Sequence, residues 1–449
     1  MDKSDVVWTM VSTLLVWLMC LPGLALFYGG LARKQHVLSV MSQTLAVSAL
    51  VTLLWFLYGY SLAFTPGSGV LGGVHHLWMA GLYQPLSPHP LKLLGSIPEL
   101  LFALFQATFA AIACALITGS LAERTRFAAV LCFTTIWFTV GYLPIAHMVW
   151  ANDGWLHQLG ALDFAGGTVV HVSAGSAGLV AAYLVGPRHG YGRRAMPPHS
   201  LPLNLTGGAL LWIGWFGFNG GSALAVNEQA VLGLFNTLLA PVAGVLTWLL
   251  VERLTHGKAS LLGATSGAIA GLVGITPAAG LVAPGAAPVI GALSAWACFY
   301  GATALKRRLG VDDPFDVFGI HGIGGIVGAM LTGVFYSGTL GGPGPSGLWA
   351  ILRQTGLQAE AVGVSLVWAG AAAAMAGVAV HYLMEMRPSI EDEHQGLDEV
   401  DHGEVAYPGS YDWHTSLAVP PERWVEPEPA GLDHVAPIEA QPQMERSKR

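Results

Sequence analysis

The chain has 449 residues, 53% of them hydrophobic and only 10% charged, and its mean hydropathy is +0.56. Soluble domains carry about 25% charged residues, so this composition argues against a cytoplasmic globular enzyme. The formal net charge of −7 is unevenly spread: Arg387 to Arg449 holds five basic and fourteen acidic residues, which leaves +2 on the first 386.

Taken in chain order, apolar runs between polar breaks predict eleven membrane-spanning helices. They fall at about 7–28, 38–63, 97–119, 126–149, 165–186, 203–222, 229–251, 260–278, 286–305, 318–337 and 361–385, each near the roughly 20 residues that a crossing helix needs. The ten-residue alternating segments of a membrane barrel are missing. The opening Met1-Asp2-Lys3-Ser4-Asp5 lacks a basic leader, so the first run reads as a span and not as a cleaved signal. The fold class expected is therefore all-α and polytopic. Residues 1–386 form the membrane domain and 387–449 an acidic tail at the cytoplasmic face. Low apolar content makes most of that tail mobile, although the stretch 396–407 is less random and could dock. Cys20, Cys114, Cys132 and Cys298 all lie inside apolar runs and read as small buried hydrophobes.

Basic residues orient the chain. Arg33, Lys34, Arg124, Arg126, Arg188, Arg193, Arg194, Arg253, Lys258, Lys306, Arg307, Arg308 and Arg387 all follow odd-numbered spans. Only Lys3, Lys92 and Arg353 lie on the other side. The positive-inside rule then places the N-terminus outside and the C-terminus inside.

An internal repeat points to a site. Asp163, His171 and Gly175 share their spacing with Asp313, His321 and Gly325, 150 positions later. Phe27-Tyr28-Gly29-Gly30 in the first span is likewise echoed by Phe218-Asn219-Gly220-Gly221 in the sixth. Five spans per copy force the second copy to enter upside down, giving an inverted repeat (halves about 7–186 and 203–337) plus an extra helix at 361–385, with a site near the midplane. Each histidine lies eight residues, about 12 Å of helix, inside its starting surface, so His171 and His321 should meet at mid-depth. A buried histidine can simply bond a carbonyl, but two at matched depth point to function. No Cys or second carboxylate shares that depth, so neither a metal nor another cofactor is expected. Aspartate is a preferred helix N-cap. Asp313 is given that structural role, while for Asp163 the cap and a cation-attracting carboxylate both stay open. Phe105, Phe109, Trp150, Trp215 and Phe218 cluster toward the outer side, where ring faces hold a dehydrated cation or simply anchor the belt. Ser222 would add a hydroxyl acceptor.

Several motifs carry a resemblance: Phe27-Tyr28-Gly29-Gly30, Leu121-Ala122-Glu123-Arg124, Ala146-His147-Met148-Val149-Trp150, Asp163-Phe164-Ala165-Gly166-Gly167, Gly214-Trp215-Phe216-Gly217-Phe218-Asn219, Val311-Asp312-Asp313-Pro314 and His321-Gly322. Along residues 5–407 the chain resembles the ammonium transporter family (Amt/MEP/Rh), and the presence of Ser222 is closer to the bacterial Amt branch. Gly396-Leu397-Asp398 and His402-Gly403-Glu404 are similar to that family's cytoplasmic tail, whereas 408–449 have no counterpart. The resemblance implies a homotrimer in the cell membrane with one pore per subunit. It implies recruitment of ammonium by Phe109, Trp150, Ser222 and Asp163, a gate of Phe105, Phe109 and Phe218, and a pore lined by His171 and His321. A P-II type regulatory protein at the cytoplasmic face is the implied partner, and neither nucleic acid nor enzymatic chemistry is expected. Transport by deprotonation with a relayed proton, an electroneutral gas channel for ammonia or carbon dioxide, and an ammonium sensor remain the readings to separate.

Overall fold

A computed structural model describes residues 1–88 and 90–408. Ten helices among them are long and apolar enough to cross a membrane: α1 Lys3–Leu31, α2 Lys34–Phe64, α3 Glu99–Leu121, α4 Phe127–Leu159, α5 Gly167–Val185, α6 Leu201–Gly221, α7 Glu228–His256, α9 Ala286–Leu309, α10 Phe318–Phe335 and α11 Leu348–Leu383. The expected span at 260–278 is the shorter α8, Leu261–Ile275. Its 15 residues cover about 22 Å, less than the roughly 30 Å apolar layer. Pro277 follows after Thr276 and has no N–H with which to continue the ladder.

Helix starts follow local chemistry. The side chains of Asp2, Ser200, Asn227 and Ser260 each accept backbone N–H groups at the beginning of α1, α6, α7 and α8, satisfying donors that have no partner within the helix. Several spans contain a single π-helical turn. In α1 it covers Met19–Gly23 around Pro22, where the missing N–H widens the turn. In α5 and α10 the π turns are Gly167–Val172 and Phe318–Gly322, the segments that carry His171 and His321.

Close helix crossings hold the body together. A Cβ on Gly207 of α6 would lie 2.1 Å from the Phe27 nitrogen of α1, so only glycine lets these backbones meet. The α5–α10 crossing has the same character, for a Cβ on Gly175 would sit 2.4 Å from the Gly322 backbone.

On the face where α1, α3, α5 and α9 hand over to the next helix, charges are buried together. Glu123 accepts from Arg33 Nε (2.6 Å) and from Arg188 Nη1 (2.9 Å). Arg188 also grips both carboxylate oxygens of Asp312 at 2.9 Å, and Arg124 donates to the Asp312 carbonyl at 2.6 Å. The sequence reading treated these residues as orientation markers or motif members and missed their pairing, because each ligand comes from a different connection.

Two expectations are revised. The last long helix begins at Leu348, thirteen residues before the expected 361. The added turns carry Arg353, Gln354 and Gln358, and both glutamines bond the loop before Asp163. The tail is ordered from nearer its start than expected: α12 (Ile390–Gln395) is helical and docked, ahead of α13 (Leu397–His402) in the stretch expected to dock. Glu393 accepts from Arg387 Nη2 (2.7 Å) and His189 N (2.6 Å), Asp398 from Ser39 N (2.7 Å), and Asp401 from Phe127 N (2.9 Å). Met1–Ala406 form one compact unit. The part of the 408–449 extension beyond Pro408 lies outside the described residues.

Candidate functional site

The rings of five helices form a continuous column. Trp150, at the end of the long part of α4, stands edge-on to Phe109 of α3 at 5.8 Å between centroids. Phe109 stacks on Phe218 of α6 at 4.1 Å with 15° between planes. Phe105, one turn from Phe109, packs edge-on to it at 4.9 Å. Below Phe218 lies the His171 ring at 6.1 Å, and His171 stacks on His321 at 5.3 Å with 19° between planes.

The two histidines face each other through Nδ1 atoms 3.3 Å apart. A neutral imidazole has one N–H and one lone pair, so one ring donates and the other accepts. The donor ring then presents a lone pair at its Nε2 and the acceptor ring an N–H at its own. The pair thus carries one basic and one acidic nitrogen on the ring edges away from their contact. His171 Nε2 is buried and has no hydrogen-bond partner. Around the pair, Met19, Leu24, Ile112, Leu116 and Ile269 line a narrow apolar cavity of ≈ 10 Å³, about the smallest that admits one water-sized molecule.

Asp163 turns its carboxylate into the helix start. Oδ1 accepts from Gly166 N (2.8 Å) and Gly167 N (2.7 Å), Oδ2 from Thr168 N (2.8 Å) and Val169 N (2.9 Å). Burial pushes this carboxyl above its ordinary value, against the four amides that pull it down. Its backbone carbonyl accepts the Trp150 indole N–H at 2.9 Å, so Asp163 orients the outermost ring. Asp313 repeats part of this arrangement: Oδ2 accepts from Phe318 N (2.9 Å), five residues on, and Oδ1 from Ser120 Oγ (2.8 Å). Ser222 Oγ donates to the Phe218 carbonyl at 2.8 Å, one turn back on α6, which leaves its lone pairs without a donor inside this bond.

Trp215 departs from the sequence expectation. It is buried, its ring stacks on His171 at 5.3 Å, and its indole donates to Thr276 Oγ1 at 2.9 Å. It is a floor for the histidine and not an outer aromatic, because it lies one turn deeper on α6 than Phe218. Gln358 was missed altogether. From α11 it receives Leu162 N (2.7 Å) and donates to the Leu162 carbonyl (2.6 Å), bracing the residue before Asp163. No local signal marks it beyond a polar residue within a long helix.

Comparison with known proteins identifies the family. Residues 7–407 match the Ammonium Transporter Family. The chain is 44% identical over 411 residues to an ammonium transporter of Bacillus subtilis (strain 168), covering 91% of this chain and all of that one. Candida albicans Mep2 superposes with a TM-score of 0.75 at 38% identity, over 83% of each chain. A solved structure described as a sensor Amt protein gives 0.81 at 27% identity, over 89% of this chain and 98% of that one. With a multi-pass helical body, a family match along nearly all of it and close relatives over full length, this chain belongs to the ammonium transporter family.

Proposed function

We propose that the protein carries ammonium across the cell membrane by recruiting the cation at Trp150, Phe109 and Ser222, stripping a proton, and passing ammonia between Phe109 and Phe218 to the His171–His321 pair. The observation that carries this reading is the unbroken ring column ending on two facing imidazoles. Aromatic faces attract a partly dehydrated cation by about 0.5–2 kcal/mol each. Beyond the stacked phenylalanines the lining is apolar, and an unpaired charge there costs several kcal/mol. Ammonia travels neutral, and the proton follows the linked histidine nitrogens, whose chemistry suits transfer near neutral pH. Asp163 supports recruitment by holding Trp150, and Phe105 backs the gate.

In this reading the first five spans and the next five form an inverted repeat, with α11 as the extra helix, the N-terminus outside and the C-terminus inside. The protein works as a homotrimer with one pore per subunit. The inner face, with its docked α12 and α13, receives a P-II type regulatory protein. The resemblance of the motifs and the distribution of basic residues support these assignments.

Solid-supported-membrane recordings on proteoliposomes test the relay. An ammonium jump should evoke a current that falls about tenfold or more when both histidines are replaced by residues that do not titrate. Undiminished current would sink the relay. Fast ammonia-driven pH relaxation without any current, in the unaltered protein, would instead favour electroneutral gas conduction. Binding without flux would favour a sensor, as one structural relative is described.

A further inference from the structure

We infer that the connection between α2 and α3 is a membrane-surface anchor, which lays an apolar patch into the lipid interface on the face that carries Trp150. Residues 66–98 contain no Asp or Glu and a single Lys. That lysine is spoken for, since Lys92 Nζ lies 2.7 Å from Glu99 Oε2. The segment also contacts the mouth: Gly67 N donates to Asp153 Oδ2 at 2.7 Å and Trp155 N to the Gly69 carbonyl at 2.8 Å.

The loop is held in place, so its exposed apolar residues are presented and not accidental. Leu82 is fully buried as a peg. His76 Nδ1 meets the Ala80 carbonyl at 2.7 Å, and the backbone bonds from Lys92 to Leu82 and from Gln84 to Pro90 close the hairpin. Trp78 and Met79 both have φ near +57°, a region bulky residues seldom adopt. Backbone strain of this kind persists only where the surroundings impose it. What it achieves is to turn the Trp78 indole outward and down onto α2.

There the ring stands edge-on to Phe56 at 6.0 Å. Phe56 belongs to the exposed apolar row of α2 with Leu45 and Leu53, the row that faces lipid in a membrane-spanning helix. The 31 residues of α2 span about 46 Å, and Phe56, eight residues before the end, lies about 12 Å below it. Against an apolar layer of about 30 Å, that puts Trp78 at the boundary where tryptophan is favoured. The same connection also exposes Val74, Tyr83 and Leu86, at 64%, 58% and 100%. A neutral, apolar, aromatic-bearing surface continuous with a lipid-facing row fits the bilayer interface.

The test uses nitroxide labels on Leu86→Cys and Val74→Cys in proteoliposomes of the full chain. Both positions are exposed, so folding is not at stake. Collision with oxygen, which concentrates in lipid, is compared with collision with a water-soluble nickel chelate. Leu53→Cys serves as the lipid reference and Gln229→Cys as the aqueous one. Labels at 86 and 74 should show an oxygen-to-nickel ratio several-fold above that at 229. A ratio equal to the aqueous reference would overturn the proposal. So would exclusion of both reagents with dipolar broadening between labels, which would mark a contact with a second copy.

Discussion

One side chain at the mouth and one crossing below it make the site testable residue by residue. Ser222 keeps its hydroxyl lone pairs free while donating to the Phe218 carbonyl. Ser222→Ala should therefore raise the half-saturating ammonium concentration about three- to tenfold, the loss of one hydrogen bond of about 0.5–1.5 kcal/mol. Uptake measured against ammonium concentration reads this directly, and an unchanged value would remove Ser222 from recruitment. Gly175 meets Gly322 backbone to backbone beside His321. Gly175→Ala must push the His321 segment away, at a cost of about 1–3 kcal/mol for overpacking. A lower melting temperature together with reduced ammonium flux is the expected outcome. At this scale the sequence was informative about depth and blind to direction. Matched spacing from Asp163 and Asp313 set both histidines at one level. Which nitrogens face each other, and that Trp215 lies flat against His171, depend on side-chain directions that spacing does not carry.

At the scale of elements, the π turns and the buried charges matter most. Both histidines sit in π turns, where the widened backbone aims side chains that a regular helix would rotate away. On the opposite face, the Arg33–Glu123–Arg188–Asp312 network joins four connections. Burial alone would raise the Glu123 carboxyl, but Arg188, then His36 and Arg33, outweigh it and hold it below its ordinary value. For Asp312, burial is likewise outweighed by Arg188 and Arg124. Groups lowered in the folded state contribute stability above the ordinary carboxylate range, and that contribution is lost as pH falls through their folded values. Thermal unfolding in detergent should therefore drop steeply on the acid side, below about pH 4. Glu123→Gln leaves a buried guanidinium short of its partner, so it should cost about 3–5 kcal/mol at neutral pH and flatten the acid-side loss. The tail helices give a milder case. Glu393→Ala removes the acceptor of Arg387 and His189 N and should lower stability by about 1–3 kcal/mol, read by the same melting experiment.

For the whole molecule, what composition and order determined by themselves was the class: an all-helical membrane protein, the placement of its spans apart from the end of α4 and the start of α11, and the motifs that tie it to its family. The reason is physical and local. An apolar run near 20 residues has few alternatives to crossing a bilayer, and Gly, Pro and capping residues punctuate it wherever they occur. The tertiary structure alone decided what depends on residues far apart in the chain. It stacked Phe109 on Phe218, set Gln358 behind Leu162, gathered Arg33, Glu123, Arg188 and Asp312 into one network, and docked residues 390–395 that composition alone read as mobile. Each of these needs partners supplied by different helices. Their energy arises only when close crossings bring the helices together and shut out water.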